Sequence, residues 1–157
     1  MKVLYHCYGG THSSVLAAAI HTGHCSPDRP PTRDELETLP LFDKRAGADY
    51  GRARFYGPDA QGHEVWVIGR LKYASTPDRV FGAMARLFPE SGEQVVVNVT
   101  HALNWQMRFG GFVSRALHFT VLGRPFIAWG ARRAYPEILA LVARTKGELK
   151  ALEDRLH

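Results

Sequence analysis

The distribution of apolar and polar residues along the chain predicts strands and helices in alternation. Residues 2–8 are a short run rich in Val, Leu and Tyr that ends at a glycine pair, as a strand does. Residues 15–20 are continuously apolar, and Gly23 is placed to end a helix. Thr32 and Glu35 match a capping box that would start a second, shorter helix. The chain is therefore predicted to open with a strand, a glycine loop and a buried helix.

The middle of the chain carries further strand and helix patterns. Residues 52–56 and 64–71 alternate as half-exposed strands do, and the Gly- and Pro-containing turn between them predicts a β-hairpin. The apolar spacing that follows Thr76 predicts a helix. Residues 94–100 are almost continuously apolar, which is typical of a central strand covered on both faces.

The last third of the chain is predicted to be mainly helical. A helix broken near Gly110 is expected over residues 104–117, followed by a short strand over residues 125–129 and a long helix from about Pro136. The order of elements favours one α/β domain over residues 1–157. We predict a three-layer fold in which a mostly parallel sheet has helices on both faces and the hairpin is an insertion.

Composition and charge narrow the class of protein. The 157 residues are 45% hydrophobic and 22% charged, as in one globular domain that needs no disulfide. The sequence has no stretch resembling a signal peptide or a membrane span, so we expect a cytoplasmic protein with no membrane partner. Arginines make up 15 of the 20 basic residues, and the net charge is +5. This favours an anionic small molecule, while the scattered charge argues against nucleic acid. Neither a cofactor nor an oligomeric state is indicated.

Polar residues follow each predicted parallel strand, where ligands of open α/β sheets bind. The clusters after the first, central and last strands should therefore converge on one site. The candidate phosphate-binding residues are Gly9, Gly10, Thr11, Ser13, Ser14 and Arg132. The candidate catalytic residues are Cys7, His12 and His101.

Residues 7–14, called the 7–14 loop below, carry the strongest chemical signal. Two glycines let the backbone turn sharply, and the start of a helix adds unpaired N–H groups and a partial positive charge. Such a loop suits an anion, with phosphate the first candidate. It is not a Walker A motif, because the Gly-Lys-Ser/Thr ending is absent. The alternative is that the glycines form a turn and nothing more.

A cysteine at the end of a strand, a tight glycine loop and a serine at the start of a helix are similar to the phosphate loops of low-molecular-weight tyrosine phosphatases and phosphotransferase-system B subunits. Those families use the cysteine as a phosphoryl acceptor. Ser13 occupies the position of the arginine expected in the phosphatases, which argues against phosphatase chemistry through Cys7. A helix N-terminus would lower the pKa of Cys7 and apolar burial would raise it; the missing arginine favours the buried, unreactive form.

A second cluster, His21, His24 and Cys25, has side chains that bind zinc. A further ligand would be required, and histidines are favourable at a helix C-terminus without any metal. We therefore assign no metal site, and the sequence leaves metal binding by this cluster open.

The decapeptide Tyr-His-Cys-Tyr-Gly-Gly-Thr-His-Ser-Ser at residues 5–14 resembles the opening of a family of uncharacterised bacterial proteins, a domain of unknown function common in spore-forming Gram-positive lineages. The similarity extends over nearly the whole chain, including Gly69 and Arg70, residues 104–111 and residues 134–136. The resemblance implies one domain and supplies no reaction. We expect the 7–14 loop to bind a phosphate-containing small molecule or nucleotide, with phosphoryl transfer or hydrolysis left open. The alternative is a non-catalytic regulatory or interaction protein.

Overall fold

The computed structural model describes residues 1–44, 51–71, 76–87, 93–102 and 120–156. The predicted helix at residues 104–117 lies outside these ranges. In chain order the elements are β1 (Lys2–Cys7), α1 (Ser13–His21), α2 (Arg33–Thr38), β2 (Arg54–Pro58), β3 (Glu64–Gly69), α3 (Thr76–Leu87), β4 (Gln94–Asn98), a 3₁₀ turn (Val99–Ala102) and α4 (Thr120–Leu156).

Within the described ranges, four strands form one open, mixed sheet in the order β2-β3-β1-β4. β1 pairs in parallel with β3 on one side and with β4 on the other, which confirms that β1 is an interior strand beside the 94–100 run. β2 pairs antiparallel with β3 at one edge. Because β3 is itself interior, the predicted hairpin insertion is not confirmed. The three parallel strands bring their carboxyl ends, and with them Cys7, to the same end of the sheet.

The two helices that precede β2 begin in different ways. At the start of α2, the Thr32 hydroxyl accepts from the Glu35 N–H at 3.3 Å, and the Glu35 carboxylate accepts from the Thr32 N–H at 2.7 Å. This confirms the predicted capping box. At the start of α1, the N-cap residue His12 makes no side-chain cap. The first N–H groups of α1 must therefore find other partners.

Helix α1 forms the centre of the core because it is apolar almost all round. Eight of its nine residues are buried, and it packs against β1, β3 and α4. The small side chains at positions 17–19 let these elements approach closely. Large side chains such as Leu16 and Ile138 are fully buried, and each contributes on the order of 1.5–3 kcal/mol relative to an exposed position. This packing holds the start of α1 firmly beside the end of β1.

The C-terminal region is one helix, α4, and not a strand followed by a helix. The predicted strand at residues 125–129 is wrong, because these residues are helical. A short apolar run is compatible with either structure, and the helical spacing of buried residues such as Ala131, Ala134, Ile138 and Val142 runs across Pro136 without a break. Although α4 has 37 residues, neither it nor any other helix in the described ranges has an apolar stretch able to cross a membrane.

Candidate functional site

The sulfur of Cys7 lies at the end of β1, against the first turn of α1. Its Sγ accepts a hydrogen bond from the Gly10 N–H at 3.1 Å and lies 3.2 Å from the Ser14 Oγ. The Ser13 side chain and the Ser14 backbone add to the stabilisation of the thiolate form. The Cys7 side chain is buried. The 7–14 loop therefore surrounds the sulfur with donors at a helix N-terminus, where negative charge is favoured.

Burial and hydrogen bonding act on the Cys7 thiol in opposite directions. Burial alone raises its pKa, because the thiolate loses hydration. Donors from the Ser14 and Ser13 side chains and from the Ser14 and Gly10 backbone stabilise the thiolate, and the net effect lowers the pKa of Cys7 below its ordinary value. Neither simple alternative from the sequence describes this site, since Cys7 is buried and its pKa is nevertheless lowered.

We expect the pKa of Cys7 to lie below that of a free thiol, which is roughly 8.5. The ultraviolet absorbance of the thiolate, followed against pH in a Cys25→Ser variant, measures this without a labelling reagent. Adding Ser14→Ala removes a donor and should raise the pKa of Cys7, whereas Ser26→Ala, at an exposed position, should leave it unchanged. A pKa of Cys7 above that of a free thiol, or one that does not change when the Ser14 hydroxyl is removed, would contradict this assignment.

Two glycines from different strands fix the position of the loop. Gly10 has a φ of +70°, and a Cβ at this position would come within 2.4 Å of the Gly69 backbone nitrogen. In the reverse direction, a Cβ on Gly69 would come within 2.6 Å of the Gly9 carbonyl oxygen. The absence of side chains at both positions thus lets the loop lie directly on the end of β3.

The carbonyl groups of the loop are held on one side by residues far away in sequence. Arg54 of β2 donates from Nη2 to the Gly10 carbonyl, and the Asp43 N–H donates to the Thr11 carbonyl at 3.1 Å. The peptide bonds are trans, so the N–H groups of Thr11 and His12 point away from these bonded carbonyls. In the described part of the chain, the N–H groups of Thr11, His12 and Ser13 have no acceptor. Consecutive N–H groups in such a turn form an anion-binding concavity.

His12 has a carboxylate partner at the rim of the loop. Its Nε2 lies 3.1 Å from the Asp43 Oδ1, and both side chains are about half exposed. The edge of the imidazole also packs against Phe42, with 5.5 Å between the ring centroids. The turn around Asp43 therefore supports both the backbone and the one imidazole of the loop. A half-exposed imidazole with a carboxylate behind it is suited to proton transfer.

The residues next to the loop adopt conformations that side chains disfavour. Among the described residues, three non-glycine positions have a left-handed φ: Leu41 at 62°, Asp43 at 51° and Leu71 at 52°. Asp43 bonds to Thr11, the Leu71 N–H donates to the Tyr8 carbonyl at 2.9 Å, and Leu41 belongs to the same turn as Asp43. Backbone strain of this kind costs of order 1–3 kcal/mol per residue and is concentrated at functional sites.

Arg70 joins the carboxyl ends of the three parallel strands. Its Nε donates to the His6 Nδ1 at 3.1 Å and its Nη2 donates to the Thr100 Oγ1 at 2.8 Å, while its backbone N–H donates to the Cys7 carbonyl. Neither Arg54 nor Arg70 is among the site residues predicted from the sequence. Both are half-buried next to the 7–14 loop. They lie there because β3 is inside the sheet, and no local sequence pattern indicates that position.

The other predicted site residues are not joined to the loop by any described contact. The backbone of His101 lies in the 3₁₀ turn after β4, at the same end of the sheet as Cys7; its side chain falls outside the described part of the structure. Arg132 is exposed on α4. Its predicted place at a strand end was wrong, because the strand from which it was to project is part of that helix.

The candidate metal-binding residues at and after the end of α1, His21, His24 and Cys25, have other surroundings. Both ring nitrogens of His21 have partners, Tyr5 on one side and Asp59 on the other. Burial raises the pKa of Cys25 to about 11, which disfavours the thiolate needed for metal binding. Within the ranges that the structure describes, no group of three or more His, Cys, Asp or Glu side chains is arranged to hold a metal ion.

The sheet order and the loop define an α/β protein with an open mixed sheet and a glycine-containing turn after its first strand. The chain belongs to the family described as "Protein of unknown function (DUF3189)", whose model matches residues 2–147. This confirms the resemblance to a domain of unknown function. Comparison with the curated proteins and with the solved structures gives no match.

Proposed function

We propose that the 7–14 loop binds the phosphate group of a small molecule or nucleotide. The observation that carries the proposal is the arrangement of the loop backbone. Its carbonyls are bonded outward to Arg54 and Asp43, while the N–H groups of Thr11, His12 and Ser13 have no acceptor among the described residues. Three such donors at the start of a helix match the oxygens of a phosphate group.

Electrostatics near the loop support an anionic ligand. The N-terminus of α1 carries a partial positive charge. Arg54 bonds to the Gly10 carbonyl, and Arg70 bonds through its backbone to Cys7. Asp43 is the acidic neighbour of the loop, and it is paired with His12. The proposed partner is therefore an anionic small molecule. Separately, we propose the cytoplasm as the location of the protein, as the sequence indicates.

The proposal has a catalytic form, in which the Cys7 thiolate is the nucleophile. Cys7 Sγ would attack phosphorus, an S–P bond would form, and the bond from phosphorus to the leaving oxygen would break. His12 would donate a proton to that oxygen and would then accept one from the water that hydrolyses the S–P bond. The lowered pKa of Cys7 favours this form.

The alternative is a non-catalytic regulatory or interaction protein that binds the same group. Two observations favour it: Cys7 is only 4% exposed, and Ser13 takes the place of a charge-stabilising arginine. Incubation with an aryl phosphate separates the two forms. Release of inorganic phosphate that disappears in Cys7→Ser supports catalysis, whereas binding without release supports the alternative.

Phosphate binding itself is tested by titrating inorganic phosphate, followed by a panel of nucleotides and sugar phosphates, against labelled protein. We expect saturable amide shifts at Thr11, His12 and Ser13, measured against chloride at equal ionic strength. Arg54→Met should weaken binding roughly tenfold, because it frees the Gly10 carbonyl and removes a charge.

Arg33→Met is the matched control, since Arg33 is exposed on α2 and pairs with Glu37. It removes the same charge from an exposed side chain outside the loop and should change the affinity by less than about twofold. Absence of phosphate-specific shifts at the three amides would contradict the proposed function. Equal effects of the two arginine variants would contradict the role of Arg54.

A further inference from the structure

A chain of hydrogen-bonded side chains runs from the middle of β1 to the end of α4. The Tyr5 OH lies 2.7 Å from the His21 Nδ1, and the His21 Nε2 lies 3.1 Å from the Asp59 Oδ2. The same Asp59 oxygen lies 2.9 Å from the His63 Nδ1, and the His63 Nε2 lies 2.8 Å from the Glu153 Oε1. This series is called the Tyr5-to-Glu153 chain below.

The Tyr5-to-Glu153 chain is separate from the phosphate loop. Asp59 and His63 flank the turn that leads into β3, and the first residue of β3 pairs with Lys2, at the end of the sheet opposite Cys7. Tyr5 and His21 are buried, and the side chains of Asp59 and His63 are 2% and 7% exposed. The Glu153 side chain is 42% exposed. The Tyr5-to-Glu153 chain thus has one end buried in the core and the other end exposed to solvent on α4.

The hydrogen-bond partners indicate which atoms of the Tyr5-to-Glu153 chain carry hydrogens. Asp59 also accepts from the Gln61 and His63 backbone N–H groups through its other oxygen, so it is an ionised carboxylate with four donors. His21 donates from Nε2 to Asp59, and burial lowers the pKa of His21, which favours a neutral ring whose Nδ1 accepts from the Tyr5 hydroxyl. His63 faces a carboxylate oxygen at both ring nitrogens. Both carboxylates are satisfied together only when each nitrogen carries a hydrogen, as in an imidazolium.

The charged groups around His63 come from each element packed on it. The turn supplies Asp59, and α1 supplies the neutral His21. Helix α4 supplies Glu153 and Lys146, of which Lys146 acts on His21. Two carboxylate oxygens, one at each ring nitrogen, therefore lie in direct contact with the His63 imidazole.

We propose that His63 is a pH-sensitive latch that fastens the last turns of α4 to the β2–β3 turn. As an imidazolium it joins Asp59 to Glu153. When His63 loses a proton, the contact with Asp59 is kept, because an unpaired carboxylate there would be buried. The contact with Glu153 is released instead, because the Glu153 carboxylate can be hydrated and would otherwise face the lone pair of the deprotonated His63 Nε2. The latch is independent of the proposed phosphate binding.

The latch is tested by amide hydrogen exchange on the full chain between about pH 5 and 8, where imidazoles titrate, with intrinsic rates corrected. In the parent, protection at residues 150–156 should fall roughly three- to tenfold as the pH rises, relative to residues 138–145. In Glu153→Gln the difference should disappear, because a neutral amide can bond to either form of the imidazole. Asp154→Asn, at an exposed neighbouring position, should keep the response of the parent.

A parent whose protection at residues 150–156 does not change with pH overturns the latch, as does a response that survives in Glu153→Gln. Nitrogen-15 spectra of the His63 ring give a second measurement that needs no variant. Hydrogens on both ring nitrogens at the acid end of the range support the proposal, and a neutral ring there overturns it.

Discussion

An alanine at position 10 should destabilise the protein far more than an alanine at position 23. Both glycines have a left-handed φ, +70° for Gly10 and +82° for Gly23, so each substitution carries a backbone cost of roughly 1–2 kcal/mol. A Cβ at Gly23 meets nothing within 4 Å, whereas a Cβ at Gly10 meets the Gly69 nitrogen at 2.4 Å. We therefore expect Gly23→Ala to cost about 1–2 kcal/mol and Gly10→Ala more than about 4 kcal/mol.

Urea unfolding of the two variants measures this difference directly, because Gly23 is matched in backbone conformation and differs in its surroundings. Equal costs would mean that the loop and β3 separate easily, and would contradict the contact between Gly10 and Gly69. The contact also limits what larger substitutions at Gly10 can show. A valine there cannot report on ligand binding alone, since it disrupts the junction of β1 with β3.

The parts of the fold that could be predicted from the sequence are those defined by neighbouring residues. The apolar run of β1, the glycine pair and the apolar run of α1 are contiguous, so the strand, the loop and the helix were predictable. The capping box of Thr32 and Glu35 needs residues only three apart, and it is present. For the same reason the sequence could bring Cys7, Gly10 and Ser14 together at one site.

Contacts between distant segments could not be predicted in this way. Residues 64–69 alternate like an edge strand, yet β3 lies between β2 and β1. The parallel pairing of β3 with β1 brings Gly69 and Arg70 to the loop, and no local pattern indicates this pairing. Arg54 and Asp43, which hold the loop carbonyls, were missed because their role depends on the same arrangement.

Two errors have more local causes. The residues 125–129 were assigned to a strand because a five-residue apolar run fits a buried strand and a buried helix equally well. Arg132 was consequently placed at the end of a strand. The left-handed backbone at Leu41 and Asp43 was also unpredictable, since side chains disfavour that region and glycine is the usual signal for it.

Removing the carboxylate of Asp59 should be among the most destabilising single changes outside the loop. Asp59→Ala leaves four donors without an acceptor: the Gln61 and His63 N–H groups, the His63 Nδ1 and the His21 Nε2. Breaking a buried pair of this kind costs about 3–5 kcal/mol. Asp59→Asn keeps an acceptor for the turn but loses the charge, so its cost should lie between zero and that of alanine. Asp28→Ala, at an exposed position, should stay within about 0.5 kcal/mol of the parent.

The effect of Asp59 should depend on pH in a defined direction. Burial alone would raise the pKa of Asp59, but hydrogen bonds from the His63 backbone, His63 and His21 hold it below its ordinary value. A carboxyl whose folded pKa is lowered stabilises the protein above its unfolded pKa, roughly 3.9, and loses that contribution as the pH falls through the folded value. Urea unfolding of the parent and Asp59→Asn should therefore differ fully at neutral pH and converge below about pH 4. A gap that stays constant or widens on acidification would show that the Asp59 charge is not what stabilises the turn.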